Sequence, residues 1–164
     1  MSDREIRQES PPHASGAVRV AIALSMVAAL GSVSAMFPSY FKGDYALADT
    51  VGNLLFNAPG ILLLFESAVL LASARTRTFG AGLLAGFVAI WSWEHMSDLG
   101  QVVSYGKEPG LGWILGLSSW GVMIVAAVFS VVALYQDEDS AGFAPDGRRP
   151  FHLVAAGGIS AVFV

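Results

Sequence analysis

Two places in the chain hold side chains able to do chemistry. The first is a single carboxylate, Glu66, set inside an otherwise uncharged stretch at residues 50–74. An ionisable group in a membrane-length apolar segment costs about 2.5 to 3.5 kcal/mol by insertion measurements, so it marks either a function or a compensating hydrogen bond. The second is the group Glu94, His95 and Asp98. On a helix Glu94 and Asp98 stand at i and i+4, and His95 and Asp98 at i and i+3. Two carboxylates and an imidazole then share a face and are able to converge on a divalent cation, with Gln101 continuing the stripe.

Much other chemistry is excluded. The chain has no cysteine, which removes disulfides, thiolate metal sites, iron–sulfur clusters and cysteine nucleophiles together. His13, His95 and His152 are too scattered to build a metal or haem centre. There is no nucleophile beside a base, no glycine-rich phosphate loop and no H-E-x-x-H helix. No catalytic, cofactor-binding or metal-binding residue is therefore assigned, no cofactor is expected, and the chain reads as a non-enzyme. The net charge of −4, with no basic cluster, argues against a nucleic-acid partner.

The elements that position these residues follow from composition. Of 164 residues, 54% are hydrophobic and 13% charged, against about 25% charged in ordinary soluble domains. One domain solvated by a lipid bilayer accounts for such a chain. Charge-free runs cover residues 20–41, 50–74 (interrupted only by Glu66), 78–93 and 109–136. At about 20 residues per crossing they predict four spans, an all-α integral membrane four-helix bundle over residues 17–136. Residues 1–16 read as a disordered cytoplasmic tail and 137–150 as a cytoplasmic linker with the acidic cluster Asp137, Glu138, Asp139. The apolar stretch 151–164 reads as the start of a fifth helix, about 21 Å long and short of the ~30 Å hydrocarbon core, as in a fragment of a longer chain.

Lysine and arginine fix the orientation. With the N-terminus inside, Arg4, Arg7, Arg19, Arg75, Arg77, Arg148 and Arg149 are cytoplasmic, and only Lys42 and Lys107 face outside. Both ends of the four-helix unit are thus expected in the cytoplasm, in a bacterial-type inner membrane. Tyr40, Tyr45, Trp91, Trp93, Tyr105 and Trp113 all fall at the outer boundary, where aromatic rings prefer to sit. A competing reading is signal-peptide cleavage after Val33, Ser34 and Ala35, although Asp3, Glu5 and Glu9 are unusual in a signal's leading region.

On this frame Glu66 lies about 13 Å from the inner boundary, near mid-bilayer. It is either a proton or cation site facing a small polar cavity, or a protonated acid hydrogen-bonded to a neighbouring serine or backbone carbonyl. With no second acid or base at its level, the latter is preferred. Glu94, His95 and Asp98 fall at the outer interface. There they are either a hydrated helix end or a small extracytoplasmic cation or ligand site, joined by Asp44, Asp49 or Glu108. The hydrated end is the simpler reading, because charged residues are normal at that depth. Asn53 and Asn57, one turn apart before Pro59, mark a kinked entrance or plain interhelical hydrogen-bond donors. Helix packing is expected at Gly82 with Gly86, at Gly112 with Gly116, and along Ala21, Ser25, Ala28, Ser32 and Ala35. These small faces point to tight packing within the bundle more than to a homodimer, and they are the surfaces through which a membrane-protein partner or a second copy would be held.

The order "SAMFPSYFKGD", "GILLLFESAVLLASARTRTFGAGLLAGFVAIW", "SDLGQVV" and "GLGWILGLSSWGVMIVAAVFSVVAL" resembles a group of uncharacterised bacterial multi-spanning membrane proteins over about residues 17–135. The Glu66 span followed by Arg75, Thr76 and Arg77 is also similar to the DoxX-like four-helix family, which implies a link to membrane redox processes. Neither resemblance transfers a catalytic residue. Three functions follow in order of preference: a non-enzymatic assembly or accessory membrane component, a small proton- or cation-coupled transporter using Glu66, and a redox-associated DoxX-like protein.

Overall fold

The structure, a computed structural model, describes residues 15–44, 46–49 and 51–141. They form four α-helices, α1 (Gly16–Ala35), α2 (Val51–Ala72), α3 (Arg77–Tyr105) and α4 (Leu111–Ala141), with a 3-10 turn at Leu47–Asp49. Ser15 starts α1 by accepting a hydrogen bond from the Val18 amide at 3.4 Å. The first apolar run continues to Phe41, but the helix stops at Met36, ahead of Pro38, which disfavours helical backbone in the residue before it. Between α2 and α3 lies a turn of four residues, 73–76. There the Thr76 hydroxyl donates to the Leu70 carbonyl at 2.8 Å, and Arg77 Nε donates to the Leu71 carbonyl at 3.2 Å. Two carbonyls that α2 leaves without partners at its end are thereby satisfied. α3 ends at Gly106, whose φ of 64° suits the left-handed helix cap that glycine adopts without strain.

Three of these helices are long and apolar enough to cross a membrane: Gly16–Ala35, Asn53–Ala72 and Leu111–Tyr135. α3 has the length, 29 residues or about 43 Å, but its last third carries Glu94, His95, Asp98 and Gln101 and lowers its apolar character. Four equivalent spans are thus narrowed to three apolar helices and one that is polar at one end. α1 packs against α4 and α2, and α3 against α2 and α4. At their centre sit Ala21, Ala28, Ala29, Leu64, Leu71, Ala81, Leu84, Met123 and Ala126. Leu30, Leu55, Leu62, Val69 and Val128 are exposed, so α1, α2 and α4 are apolar on both faces, as suits helices with apolar surroundings.

Small residues set the closest approaches. A Cβ on Gly31 of α1 would overlap the Ser119 hydroxyl of α4, and one on Gly80 of α3 would lie 2.8 Å from Leu70 Cβ and 3.0 Å from the Leu71 amide nitrogen. Residues 137–141 of the expected linker continue α4, so its acidic cluster stands on that helix. The remainder of that linker, the stretch 151–164 and residues 1–14 of the expected tail lie outside the described residues.

Candidate functional site

The end of the molecule carrying the 36–50 and 106–110 connections is called here the upper end. The first connection is laid across it by backbone pairing. Lys42 N donates to the Glu108 carbonyl at 2.9 Å, Gly110 N to the Tyr40 carbonyl at 2.9 Å, and Gly112 N to the Ser39 carbonyl at 3.0 Å. Glycine is required at 112, where a Cβ would lie 2.8 Å from the Pro38 carbonyl oxygen and 2.9 Å from that of Ala35. On the surface Lys42 pairs with Glu108 at 2.8 Å and Lys107 with Asp44 at 3.0 Å. The Lys42 hydrogen bond holds the Glu108 carboxyl below its ordinary pKa, and Glu108 in turn raises that of Lys42.

This loop presents Tyr40 to α3, where its hydroxyl donates to Asp98 Oδ2. Burial first, then the Asp98 hydrogen bond and charge, push the phenol well above its ordinary pKa, so it stays a neutral donor. One turn back, His95 Nδ1 lies 2.9 Å from the Trp91 carbonyl. A carbonyl only accepts, which assigns a proton to Nδ1, so that the neutral form of the ring carries its lone pair on Nε2. The imidazole stacks on Trp120 at 5.6 Å and 12°, and the Trp120 indole donates to Ser92 Oγ at 3.0 Å. The ring is therefore fixed on two sides.

His95 is 7% exposed, yet Nε2 has no hydrogen-bond partner, and the same is true of the Ser32 hydroxyl on α1. Orphaned buried polar atoms are uncommon. Both residues line a chamber of about 50 Å³, together with Tyr40, Asn57, Trp91, Glu94, Asp98 and Gly116. That volume admits a few water molecules or one small polar group. Nε2 faces Gly116, whose Cβ position lies 3.8 Å away. Tyr40, Asn57, Glu94 and Asp98 also line a wider, open vestibule of about 500 Å³ with Asp44, Asn53, Gln101 and Lys107.

The structure thus brings Glu94, His95, Asp98 and Gln101 together with Asn53, Asn57 and Asp44. Among the described residues, however, no three His, Asp or Glu side chains are grouped to hold a metal ion. The helical stripe faces one cavity without converging on a point. Asp49 accepts from the Ala46 amide and Glu108 pairs with Lys42, so neither lines the chamber. Gly112 lies against the Ala35 and Pro38 carbonyls, Gly116 opens onto the chamber, Gly82 is buried and Gly86 is half-buried. Glu66 lies elsewhere. It is exposed on α2, lines neither cavity and has no hydrogen-bond partner among the described residues. Both expected environments for it, a polar cavity and a serine or carbonyl bond, need an inward side chain. Ser25 and Ser67 donate to Ala21 and Leu63 of their own helices.

Sequence reasoning missed the parts that reach the site from afar. Tyr40 and Trp91 read as interface aromatics, Ser32 as a small packing residue, and Trp120 carried no signal. No family model matches the chain, and neither a curated protein nor a solved structure is detectably similar to it.

Proposed function

We propose that the protein is a four-helix bundle of a bacterial-type inner membrane, a non-enzymatic accessory component that receives a small polar ligand from the outer side. The observation that carries this reading is the Nε2 atom of His95, buried, locked by its neighbours and without a partner, at the floor of a chamber that meets an open vestibule. α3 supplies the fourth crossing, because it follows α2 through a four-residue turn, is longer than the hydrocarbon core and packs between two apolar helices. The seven-to-two distribution of arginine and lysine supports cytoplasmic ends, with the vestibule outside. The accessory role is supported by Glu66, whose carboxyl on the exposed face of α2 would gain hydrogen bonds from a neighbouring membrane helix.

Because the chain has no cysteine, thiol labelling tests the site directly. An Asn57→Cys variant in sealed, oriented vesicles should react with a membrane-impermeant thiol reagent added from outside, and adding Gly116→Leu to narrow the chamber should slow that reaction at Ser32→Cys more than at Asn57→Cys. Labelling of Asn57→Cys from the cytoplasmic side alone would overturn the orientation. Equal labelling of Ser32→Cys with and without Gly116→Leu would overturn the chamber as an access route.

A further inference from the structure

We propose that the chamber ligand is a protonated primary amine, an inference that rests on the chamber being a binding site. The acceptors of the chamber include two carboxylates, whereas its free donors, the Ser32 hydroxyl and the second Asn57 N–H, are neutral groups. Glu94 and Asp98 bring carboxylates, His95 Nε2 brings a lone pair, and the Ser32 hydroxyl is free to accept. The chief donor, the Tyr40 hydroxyl, is already committed to Asp98. Asn57 spends one N–H on the Asn53 carbonyl at 2.8 Å and keeps its own carbonyl oxygen.

Among the described residues no lysine or arginine lines the chamber, and the one lysine lining the vestibule, Lys107, is paired with Asp44. Field and hydrogen-bond inventory therefore select the same ligand property, positive charge carried on several N–H donors. A primary ammonium has three donors, no acceptor and a girth close to that of water, which suits a volume of about 50 Å³. An anion would meet two carboxylates, and a bare metal ion would lack a third close ligand among the described residues. A water-borne amine and the ammonium of a lipid headgroup share this chemistry.

The test is ¹⁵N NMR of the imidazole nitrogens in the full-length protein, with the His95 signals assigned by their absence from His95→Gln. In nanodiscs of phosphatidylcholine and phosphatidylglycerol, methylammonium should shift Nε2 saturably, whereas tetramethylammonium and acetate should not. Asp98→Asn should weaken methylammonium about tenfold or more, the fold-change for one lost charge-assisted hydrogen bond. If Nε2 shifts only when phosphatidylethanolamine is included, the amine comes from lipid. If acetate or urea shifts Nε2 and methylammonium does not, the amine assignment is overturned while the chamber stands as a site. If no probe moves Nε2, both readings fall.

Discussion

The lower and upper halves of this molecule differ in how completely they satisfy their buried polar atoms. In the lower half, Ser67 and Ser130 are fully buried and donate to carbonyls on their own helices, at 2.7 Å each. Around them the packing is of alanine and leucine. In the upper half, Ser32, His95 and Trp113 each bury a polar atom with no partner, and both described cavities lie there. The difference follows from side-chain size. In the lower half, alanines and Gly80 let the helices close on one another. Trp91 and Tyr40 stand in the wall of the chamber and Trp120 stacks on His95, and the space beside them is lined by Ser32 and His95, whose polar atoms are left for a visitor.

Substitutions should separate the halves. The largest effect is expected from Leu84→Ala, which empties a fully buried site in the dry half and should cost about 2 to 5 kcal/mol in reversible detergent unfolding. A loss below about 1 kcal/mol would show that half to be loosely packed. Next comes Gly31→Ala, whose added methyl meets the Ser119 hydroxyl and should cost about 1 to 3 kcal/mol, with partial relief in Gly31→Ala combined with Ser119→Gly.

Tyr40→Phe should cost about 1 to 3 kcal/mol through the lost bond to the Asp98 carboxylate. Its pH dependence is specific. The phenol pKa is raised on folding, so its contribution is fully present below the ordinary value of 10.0 and is lost as pH rises above it. Wild type should therefore lose stability above pH 10 more steeply than Tyr40→Phe. The smallest effect belongs to Lys42→Ala. Glu108 has its pKa lowered on folding, so the pair contributes above the ordinary carboxyl value of 4.5 and fades as pH falls below it. Both partners are exposed, and the change should be smaller than any of the others and should shrink with added salt.

The helices were legible in the sequence because charge placement brackets them, and their ends shifted for local reasons. α1 stops short of the apolar run's end because Met36 to Phe41 enclose Pro38, while α3 runs past Trp93 because Glu94, His95 and Asp98 sit on its surface without breaking it. The helical grouping of those three residues was legible from spacing alone. Their completion by Tyr40 was not, since the Tyr40 to Asp98 bond joins residues 58 apart through a loop with no periodic signal. Glu66 shows the converse limit. Its place within an apolar helix was readable, but α2 is apolar on every side, so periodicity carried no information about which way residue 66 points.

The clasp at residues 73–76 bears on how the molecule comes apart under load. Thr76 and Arg77 tie the start of α3 to carbonyls of α2, so the two helices form a hairpin with its own internal fastening. α4 is joined to α3 by the Trp120 to Ser92 hydrogen bond, while the connection 106–110 is bonded, among the described residues, to Tyr40 and Lys42 of the first loop. Drawn out of a membrane from its C-terminal end, the chain should yield α4 in one rupture and α3 with α2 together in the next.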